Sequence, residues 1–428
     1  MLTGALPEAL SKLRKLELLW LDDNMLSGDI TTAFNRMPDL RALFLEDNDF
    51  EGTINDNFLR RSQRLIQLDV SDNRLKGTLP FHFFVEDEFK QLEVMDWHGN
   101  ELSGNLPDML VPNKVLQFLS LYDNVFTGTL PPSWGTHLHG VFHLDLSRNW
   151  LTGELPTTIG EMKALLNLFL GTNEWEPGPI PSSWSNLFRL KELSLKESHR
   201  IGPIPEFIGT LDRLKLLDLD SNQFEGQIPT ALGNLSNLEF LLLNRNRLIG
   251  GIPSELSKLT KLRMAFLEGN YLMGNASPLC SLPNFVNTEN GVWSLVVTDC
   301  QGGGSTGNAT TLWPVQCECC SHCCMAAPLL DSYDILPSNE TGVDGDDATP
   351  GGSGTNVTQP AVVLSPRPSR PTCHDWTATA NLNPRWESVY ARESYIFGEE
   401  VWFENDDDDD TDDPVTRRQR QLLVESIY

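Results

Sequence analysis

Short segments in which apolar and polar residues alternate recur along the first part of the chain. In residues 214–237, LKLLDLDSNQFEGQIPTALGNLSN, Leu217 and Leu219 alternate with Asp218 and Asp220, which is the two-residue period of a strand with one buried face. Burying the apolar side chains of one such unit contributes roughly 10–20 kcal/mol. Ordering its backbone costs more, at about 1–2 kcal/mol per residue. One unit therefore cannot fold alone, and the pattern predicts a solenoid of stacked units.

Copies of the unit recur in register over roughly residues 1–300. Its glycine returns every 24 to 27 residues, at Gly4, Gly28, Gly52, Gly77, Gly104, Gly128, Gly153, Gly178, Gly202, Gly226, Gly250 and Gly274. Its asparagine, a residue that hydrogen-bonds neighbouring backbone in turns, returns at Asn24, Asn48, Asn73, Asn100, Asn124, Asn149, Asn173, Asn222, Asn246 and Asn270. Ser198 takes the place of the asparagine in one repeat. Two such series in register indicate one continuous array of repeats.

The shared pattern L-x-x-L-x-L-x-x-N-x-L-x-G-x-I-P resembles the leucine-rich-repeat family. Its G-x-I-P step resembles the plant-type subclass of receptor-like proteins and glycosidase inhibitors. The resemblance implies an α/β solenoid, a curved superhelix with a parallel sheet on its concave side. Eleven strand segments are expected, from residues 16–24 to residues 262–270. Between them we expect 3₁₀ turns or brief helices, as at Pro7–Leu16 and Pro229–Leu238.

Some segments depart from the regular repeat. Irregular spacing at residues 81–90, at residues 174–177 and around Ser198 predicts insertions that form surface loops. The first residues, Met1–Pro7, correspond to the second half of a repeat. We therefore expect the layer of Leu6 and Leu10 to be open to solvent, and a signal peptide or membrane anchor to lie upstream.

Strand alternation predicts which side chains line the concave face. Residues that alternate with the buried leucines form columns across the stacked strands, and in the first repeats these columns combine aromatic rings with carboxylates. Exposed aromatics bordered by charge are typical of a binding patch. The alternative is a solvated acidic face, since aspartates are ordinary in repeats of the kind that the resemblance implies. The candidate ligand-binding residues are Trp20, Asp22, Asp23, Phe44, Glu46, Asp47, Asp69, Asp72, Asp96, His98 and Tyr122.

Cysteines concentrate after the last repeat, where the solenoid core must be closed. Disulfides there would form a stapled cap, whereas zinc is the alternative for a cysteine cluster that includes His322. The contiguous spacing favours disulfides, because zinc ligands usually come in separated pairs. Residues 292–297 are expected to add a closing strand. The cap resembles, more loosely, that of leucine-rich-repeat proteins of diatoms. The disulfide candidates are Cys280, Cys300, Cys317, Cys319, Cys320, Cys323 and Cys324.

These features divide the chain into four regions. Residues 1–276 are the solenoid, residues 277–324 the Cys-rich cap, residues 325–372 a linker and residues 373–428 an aromatic and acidic tail. The linker and most of the acidic tail are expected to be disordered, since the linker is poor in apolar residues and the Asp406–Asp410 run repels itself. Five N-x-S/T sequons, no more than chance predicts, are glycosylation candidates: Asn234, Asn275, Asn308, Asn339 and Asn356.

Charge and motifs exclude several classes of function. With 59 acidic and 32 basic residues, the chain has a formal net charge of −27, which argues against nucleic acid or an anionic membrane as a partner. It has no apolar run of about 18 residues that could span a membrane. Gly302–Gly307 matches two glycine motifs of enzymes, but Asn308–Pro314 does not begin the helix that either site requires. No cofactor, no metal and no catalytic residue are predicted.

The sequence thus predicts a binding protein and not an enzyme. A receptor-like or secreted solenoid would recognise a protein, peptide or glycan ligand through its concave face, and the acidic patch favours a basic one. Such a protein is expected outside the cell or at its surface. One alternative is a cytoplasmic scaffold with the same repeats. The other, implied only by the resemblance, is an inhibitor of a cell-wall glycosidase.

Overall fold

The computed structural model describes residues 1–31, 33–34, 36–85, 89–109, 114–283, 295–300 and 322–325. The predicted linker, the acidic tail and the sequons Asn308, Asn339 and Asn356 lie outside the described residues. So do Cys317, Cys319 and Cys320. Everything described belongs to the unit Met1–Thr372.

A parallel sheet of thirteen strands lines the concave side of the described part. Its first eleven strands are the eleven predicted from the sequence, one for each repeat, and two further strands extend it at the C-terminal end. The first of these two is the predicted closing strand, which begins at Leu295 and pairs with Met264–Phe266. The strands are Leu18–Trp20, Ala42–Phe44, Gln67–Asp69, Val94–Asp96, Phe118–Ser120, His143–Asp145, Asn167–Phe169, Glu192–Ser194, Leu216–Asp218, Phe240–Leu242, Met264–Phe266, Leu295–Cys300 and His322–Met325.

The leucines of each repeat pack in layers behind this sheet. In the strand Phe118–Ser120, Leu119 is fully buried, and Leu121 just beyond it is buried as well. The equivalent pairs in the other repeats join one continuous core that runs from Leu26 to Leu282. The two-residue period of the sequence therefore separates core side chains from concave ones, as predicted.

The repeat asparagines satisfy buried backbone groups at the junctions between repeats. The side-chain amide of Asn124 donates to the carbonyl of Trp97 in the preceding repeat at 3.0 Å, and to Leu121 and Tyr122 in its own repeat. Its side-chain oxygen accepts the backbone N–H of Leu102 at 2.9 Å. Because a buried backbone group without a partner costs about 1–3 kcal/mol, the position tolerates few other residues.

A second set of strands, which the sequence did not lead us to expect, lies beside the concave sheet. Most of these strands follow a repeat asparagine, and in the described residues they form two lateral sheets, of seven and of four strands. The first comprises Thr3–Ala5, Met25–Asp29, Asp49–Ile54, Arg74–Gly77, Glu101–Asn105, Val125–Thr129 and Trp150–Thr152, and the second comprises Ile201–Pro203, Gln223–Gln227, Arg247–Gly251 and Tyr271–Met273.

The repeat glycine belongs to this lateral strand. At Gly77, φ is 99°, and an added Cβ would lie 2.2 Å from the carbonyl oxygen of Ile54 in the preceding repeat. A side chain is thus excluded by both conformation and space. Gly178 is the one repeat glycine without a positive φ. It lies in the irregular repeat, where the lateral sheet is interrupted and only an isolated bridge from Gly178 to Arg200 remains.

Short helices close most repeats on the convex side, as predicted. In each of the six 3₁₀ helices of the described segments, a proline precedes the first helical residue, where its fixed φ suits the helix start. The 3₁₀ helices are Glu8–Lys12, Thr157–Glu161, Ser182–Asn186, Glu206–Thr210, Thr230–Asn234 and Ser254–Lys258. The described α-helices are His82–Val85, Pro132–His137 and Ser277–Cys280.

The insertion at residues 81–90 differs from the expected surface loop. It begins with the helix His82–Val85, and Phe83 and Phe84 are both buried. Phe84 stacks on Trp134 with ring centroids 5.7 Å apart, and Phe83 lies 4.5 Å from Phe89. Phe83, Phe84 and Phe89 therefore enlarge the core, whereas Phe81 remains exposed. Spacing alone showed that residues had been inserted, but not which way their side chains point.

The two ends of the described solenoid differ from its middle. Leu6 and Leu10 are partly buried against the core, whereas Leu2 and Leu13 are 55% and 50% exposed. At the other end, Cys280 follows the last repeat and is disulfide-bonded. No helix in the described segments is long and apolar enough to cross a membrane.

Candidate ligand-binding surface on the concave sheet

The strand register brings the predicted concave residues into columns. Trp20 pairs with Phe44, Phe44 with Asp69, and Asp69 with Asp96. Ser120 and Asp145 continue the same column. Since neighbouring strands lie about 4.8 Å apart, the side chains of successive repeats are close enough to act together.

An exposed aromatic pair stands at the start of this column. The rings of Trp20 and Phe44 stack with their centroids 5.9 Å apart and their planes 22° apart. Trp20 is 43% exposed, and Phe44 is partly exposed. A large aromatic side chain held in a fixed orientation and open to solvent can offer contact area at little entropic cost.

The predicted acidic residues fall into three groups by exposure. Asp23, Asp47 and Asp72 are exposed. Asp22 and Glu46 are partly exposed. Asp69 and Asp96 are buried, at 6% and 1% exposure. Only the first two groups can touch a ligand with much of their surface.

The two buried aspartates are engaged in local structure. Oδ1 of Asp69 accepts the backbone N–H of Ser71 at 3.0 Å and the hydroxyl of Ser71 at 2.6 Å. Oδ1 of Asp96 accepts the backbone N–H of His98 at 3.1 Å. Burial, followed by the charge of Asp96, raises the pKa of Asp69 above its usual range. These two residues shape the surface more than they present charge on it.

The three exposed aspartates share a backbone conformation. Asp23, Asp47 and Asp72 have φ values of 51°, 51° and 46°, the left-handed region in which aspartate is one of the better-tolerated side chains. Glycine takes the same place at Gly99, with φ of 62°. Part of the acidic pattern therefore reflects the turn after each strand, a requirement independent of any ligand.

His98 joins two repeats through carboxylates. Its Nδ1 lies 2.7 Å from Oδ1 of Asp96, and its Nε2 lies 3.1 Å from Oδ2 of Asp72. Burial lowers the pKa of His98, but the charge of Asp96 and the hydrogen bonds to Asp72 and Asp96 outweigh that effect and raise it to about 11. His98 is therefore an imidazolium that neutralises part of the negative charge around it.

Negative charge without a cation remains at the first repeats. Asp22, Asp23, Glu46 and Asp47 form no ion pair with any residue that the structure describes. Oε2 of Glu46 is shielded from solvent and accepts no hydrogen bond there. Burial, together with the charges of Asp69, Asp22 and Asp96, raises the pKa of Glu46 to about 8. A cationic group brought to this place would relieve that repulsion.

The patch changes character at Tyr122, the last predicted residue. The Tyr122 ring lies 6.1 Å from that of His98, and the guanidinium of Arg148 lies 5.6 Å from the Tyr122 centroid. Farther along, Nε of Arg245 donates to Oδ1 of Asp220 at 2.8 Å. Carboxylates there have basic neighbours, which distinguishes these repeats from the first ones. We call Trp20, Phe44, Asp22, Asp23, Glu46 and Asp47 the acid–aromatic patch.

One concave column was missed in the sequence. The first residue of each strand also points to this side, because it alternates with the same buried leucine. In the middle repeats this column contains Phe118 and His143, which pair across neighbouring strands. Counting one position further back from each buried leucine would have found them.

The other predicted sites are described only in part. Asn234 and Asn275 are both exposed, as glycosylation would require. Cys280 is disulfide-bonded, and the side chains of the remaining candidate cysteines lie outside the described residues. Among the described residues, no group of three or more His, Cys, Asp or Glu could hold a metal ion. Disulfide pairing beyond Cys280, like glycosylation itself, stays a prediction.

Comparison with known proteins agrees with this architecture. The family model described as Leucine Rich Repeat matches residues 141–162, 213–235 and 237–259. Receptor-like protein 41 of Arabidopsis thaliana is 37% identical over 120 residues, which are 27% of this chain and 13% of that protein. Receptor-like protein 9a of the same species is 33% identical over 109 residues, 26% of this chain and 11% of that protein.

Solved structures extend the likeness to the whole solenoid. The PEPR1–AtPEP1 structure superposes with a TM-score of 0.61 and 32% identity, over 66% of this chain and 39% of that one. This chain is a leucine-rich-repeat solenoid, and it is similar to plant receptor-like proteins. A second similar structure is that of the Arabidopsis receptor kinase HAESA in complex with the peptide hormone IDA and the co-receptor SERK1. It superposes on this leucine-rich-repeat chain with a TM-score of 0.59 and 31% identity, over 65% of this chain and 46% of HAESA.

The leucine-rich-repeat chain spans only part of these proteins. It covers 11% and 13% of the two receptor-like relatives, and less than half of the two receptor structures. What those proteins bind is a property of much longer molecules.

Proposed function

We propose that this chain recognises a peptide or protein ligand on its concave face, and that the acid–aromatic patch receives a basic segment of it. The observation that carries the proposal is the stacked pair of Trp20 and Phe44, with Trp20 43% exposed, beside carboxylates that form no ion pair in the described part. Aromatic contact area supplies affinity. Uncompensated negative charge attracts a cationic partner and speeds its arrival.

The structural neighbours support a peptide as the ligand. The solved structures named above include a receptor kinase in complex with a peptide hormone, and a further neighbour is a plant peptide hormone receptor, RGFR1, in complex with RGF2 at a TM-score of 0.58 and 26% identity. Another match is the ectodomain of a plant membrane receptor kinase, with a TM-score of 0.53 and 30% identity. This supports recognition outside the cell or at its surface. The role is binding without catalysis.

A peptide library tests the proposal directly. Random dodecapeptides displayed at a surface are selected against the full chain, and the association rates of selected synthetic peptides are measured at 50 and 300 mM salt. We expect an excess of lysine and arginine and an association rate that falls with salt. The double variant Asp22→Asn, Asp23→Asn should lower the association rate about three- to tenfold at low salt.

A charge-matched control separates the patch from net charge. Glu51 and Glu154 are exposed carboxylates on or beside the lateral sheet, away from the concave face. Glu51→Gln, Glu154→Gln removes the same charge and should leave the association rate within twofold. Selected peptides without excess basic residues, or binding indifferent to both the concave variant and salt, would refute the proposal.

A further inference from the structure

A second contact surface lies on the concave face beyond the acid–aromatic patch. The rings of Phe118 and His143 stack with centroids 4.2 Å apart and planes 7° apart. The ring of Phe169 follows at 5.8 Å from His143 and is turned by 62°. All three side chains are partly exposed. We call these three residues the aromatic lane.

The aromatic lane carries no net charge near neutral pH. Burial lowers the pKa of His143 to about 4, against the opposing attraction of Asp96, so its imidazole is neutral. Burial raises the pKa of the neighbouring Asp145 to about 6, and its Oδ1 accepts the backbone N–H of Ser147 at 2.9 Å. A neutral aromatic surface is suited to an aromatic or aliphatic side chain of a ligand, because burying that side chain against it lowers the free energy of binding.

The register fixes how far the lane lies from the patch. The strand of Phe118 is the third after that of Phe44, and the strand of His143 is the fourth. At about 4.8 Å per strand, the distances are about 14 and 19 Å. An extended chain that crosses the strands advances about 3.3 Å per residue. The rings of Phe118 and His143 are therefore about four to six residues from the patch along such a ligand.

We infer that the ligand is an extended segment with two anchors: a basic residue at the acid–aromatic patch, and an aromatic or large aliphatic residue four to six positions away in the aromatic lane. The inference rests on the proposed function and adds the second anchor and the spacing. The floor between the anchors is made of Asp69, Asp96 and the His98 imidazolium, already bonded to one another or to local backbone. The intervening ligand residues therefore meet little unsatisfied charge.

Synthetic peptides of defined spacing test the inference on the full chain. Each peptide has two arginines at one end, a Gly/Ser spacer of two to nine residues, and a tryptophan, and each is made in both orders. A matched peptide replaces the tryptophan with glycine. We expect affinity to peak at spacers that place the tryptophan four to six residues from the nearer arginine, about tenfold above the shortest and longest spacers.

A variant in the aromatic lane and a matched control variant are measured with the same tryptophan and glycine peptides. Phe118→Ala should weaken the best tryptophan peptide about tenfold and the glycine peptide less than twofold. Phe240 occupies the same strand position five strands farther on and is also partly exposed, so Phe240→Ala should change neither. Circular dichroism melting checks that both variants fold.

The possible failures are distinguishable. If arginine peptides bind with salt dependence but tryptophan adds nothing, or if affinity does not depend on spacing, the second anchor is refuted while the proposed function stands. Equal weakening of both peptides by Phe118→Ala refutes the anchor in the same way. If no arginine peptide binds, with or without tryptophan, both the proposed function and the inference are overturned.

Discussion

Trp175 donates its indole N–H to the backbone carbonyl of Leu170, with 2.7 Å between Nε1 and the oxygen. In the neighbouring repeats the corresponding carbonyl is bonded by the asparagine of the next repeat, as Asn173 bonds Leu146 at 2.9 Å and Asn222 bonds Leu195 at 2.7 Å. Ser198 stands where that asparagine would be. The insertion at residues 174–177 thus supplies the donor that the serine cannot.

This relationship predicts the effect of removing one N–H. Trp175→Phe keeps a buried aromatic ring but leaves the Leu170 carbonyl with only the 3.3 Å bond from Asn173, so the free energy of unfolding should fall by about 0.5–1.5 kcal/mol. Denaturant titration measures it. Trp150→Phe, at a side chain that is 58% exposed, should change the free energy by less than about 0.5 kcal/mol.

A second substitution tests the cause. Ser198→Asn in the Trp175→Phe background restores an amide at the repeat position, and should recover at least half of the lost stability. If Trp175→Phe left the free energy of unfolding unchanged, or if Ser198→Asn recovered none of the loss, the Trp175 indole would contribute by packing and its hydrogen bond would not matter for stability.

The repeat itself was predictable because the residue types show both the two-residue alternation of each strand and the regular spacing of the repeats. Leucines that alternate with polar residues, an asparagine and a glycine at fixed offsets determine strand, junction and turn, and all eleven strands were found this way. The lateral sheets were missed since their strands contain few alternating apolar residues. Val125–Thr129, for example, owes its conformation to pairing with neighbouring repeats, an interaction that no single unit reveals.

The candidate site was predictable in position but not in exposure. Alternation placed Asp69 and Asp96 on the concave side, yet it could not show that they turn back to bond residues two positions later. It also could not distinguish aspartates that serve a left-handed turn from those that serve a ligand. The role of Trp175 depends on a bond between residues of an irregular segment, for which the repeat offers no template.

The predicted cap can be examined through Cys280, which is disulfide-bonded at the end of the helix Ser277–Cys280. Peptide mapping under non-reducing conditions, on protein from its native source, should find Cys280 joined to another candidate cysteine of the cap. Reduction should lower the free energy of unfolding by about 2–4 kcal/mol. Cys373→Ser lies outside the candidate set and should leave the map unchanged. Free thiols at all seven candidates would contradict the prediction.

The charges of the concave face predict how stability depends on pH. The pKa of Glu46 is raised from 4.5 to about 8, first by burial and then by neighbouring carboxylates. That of His98 is raised from 6.5 to about 11, because Asp96 and Asp72 outweigh burial. Between pH 6.5 and 8 the folded protein therefore holds protons at both residues that the unfolded chain releases.

The sign follows from that difference in bound protons. The free energy of unfolding must fall as pH rises from 6.5 to 8, by at most about 1.4 kcal/mol per pH unit for each group, and by less for Glu46 because solvent partly screens it. His143 opposes the trend only weakly: its pKa is lowered to about 4 in the folded protein, so the half proton that the unfolded histidine binds at pH 6.5 is lost on folding, and its release raises stability by about 0.4 kcal/mol between pH 6.5 and 8. Denaturant titrations at pH 6.5 and 8 measure the slope.

Glu46→Gln assigns part of this slope to one side chain. The amide cannot ionise, so the fall in stability between pH 6.5 and 8 should become smaller, while Glu51→Gln in the lateral sheet should leave it as it is. The slope should not vanish, because His98 remains and burial raises the pKa of Asp218 as well, to about 7. If Glu46→Gln kept the full slope, Glu46 would already be ionised at pH 6.5. The acid–aromatic patch would then carry its charge without the repulsion that a cationic ligand is proposed to relieve.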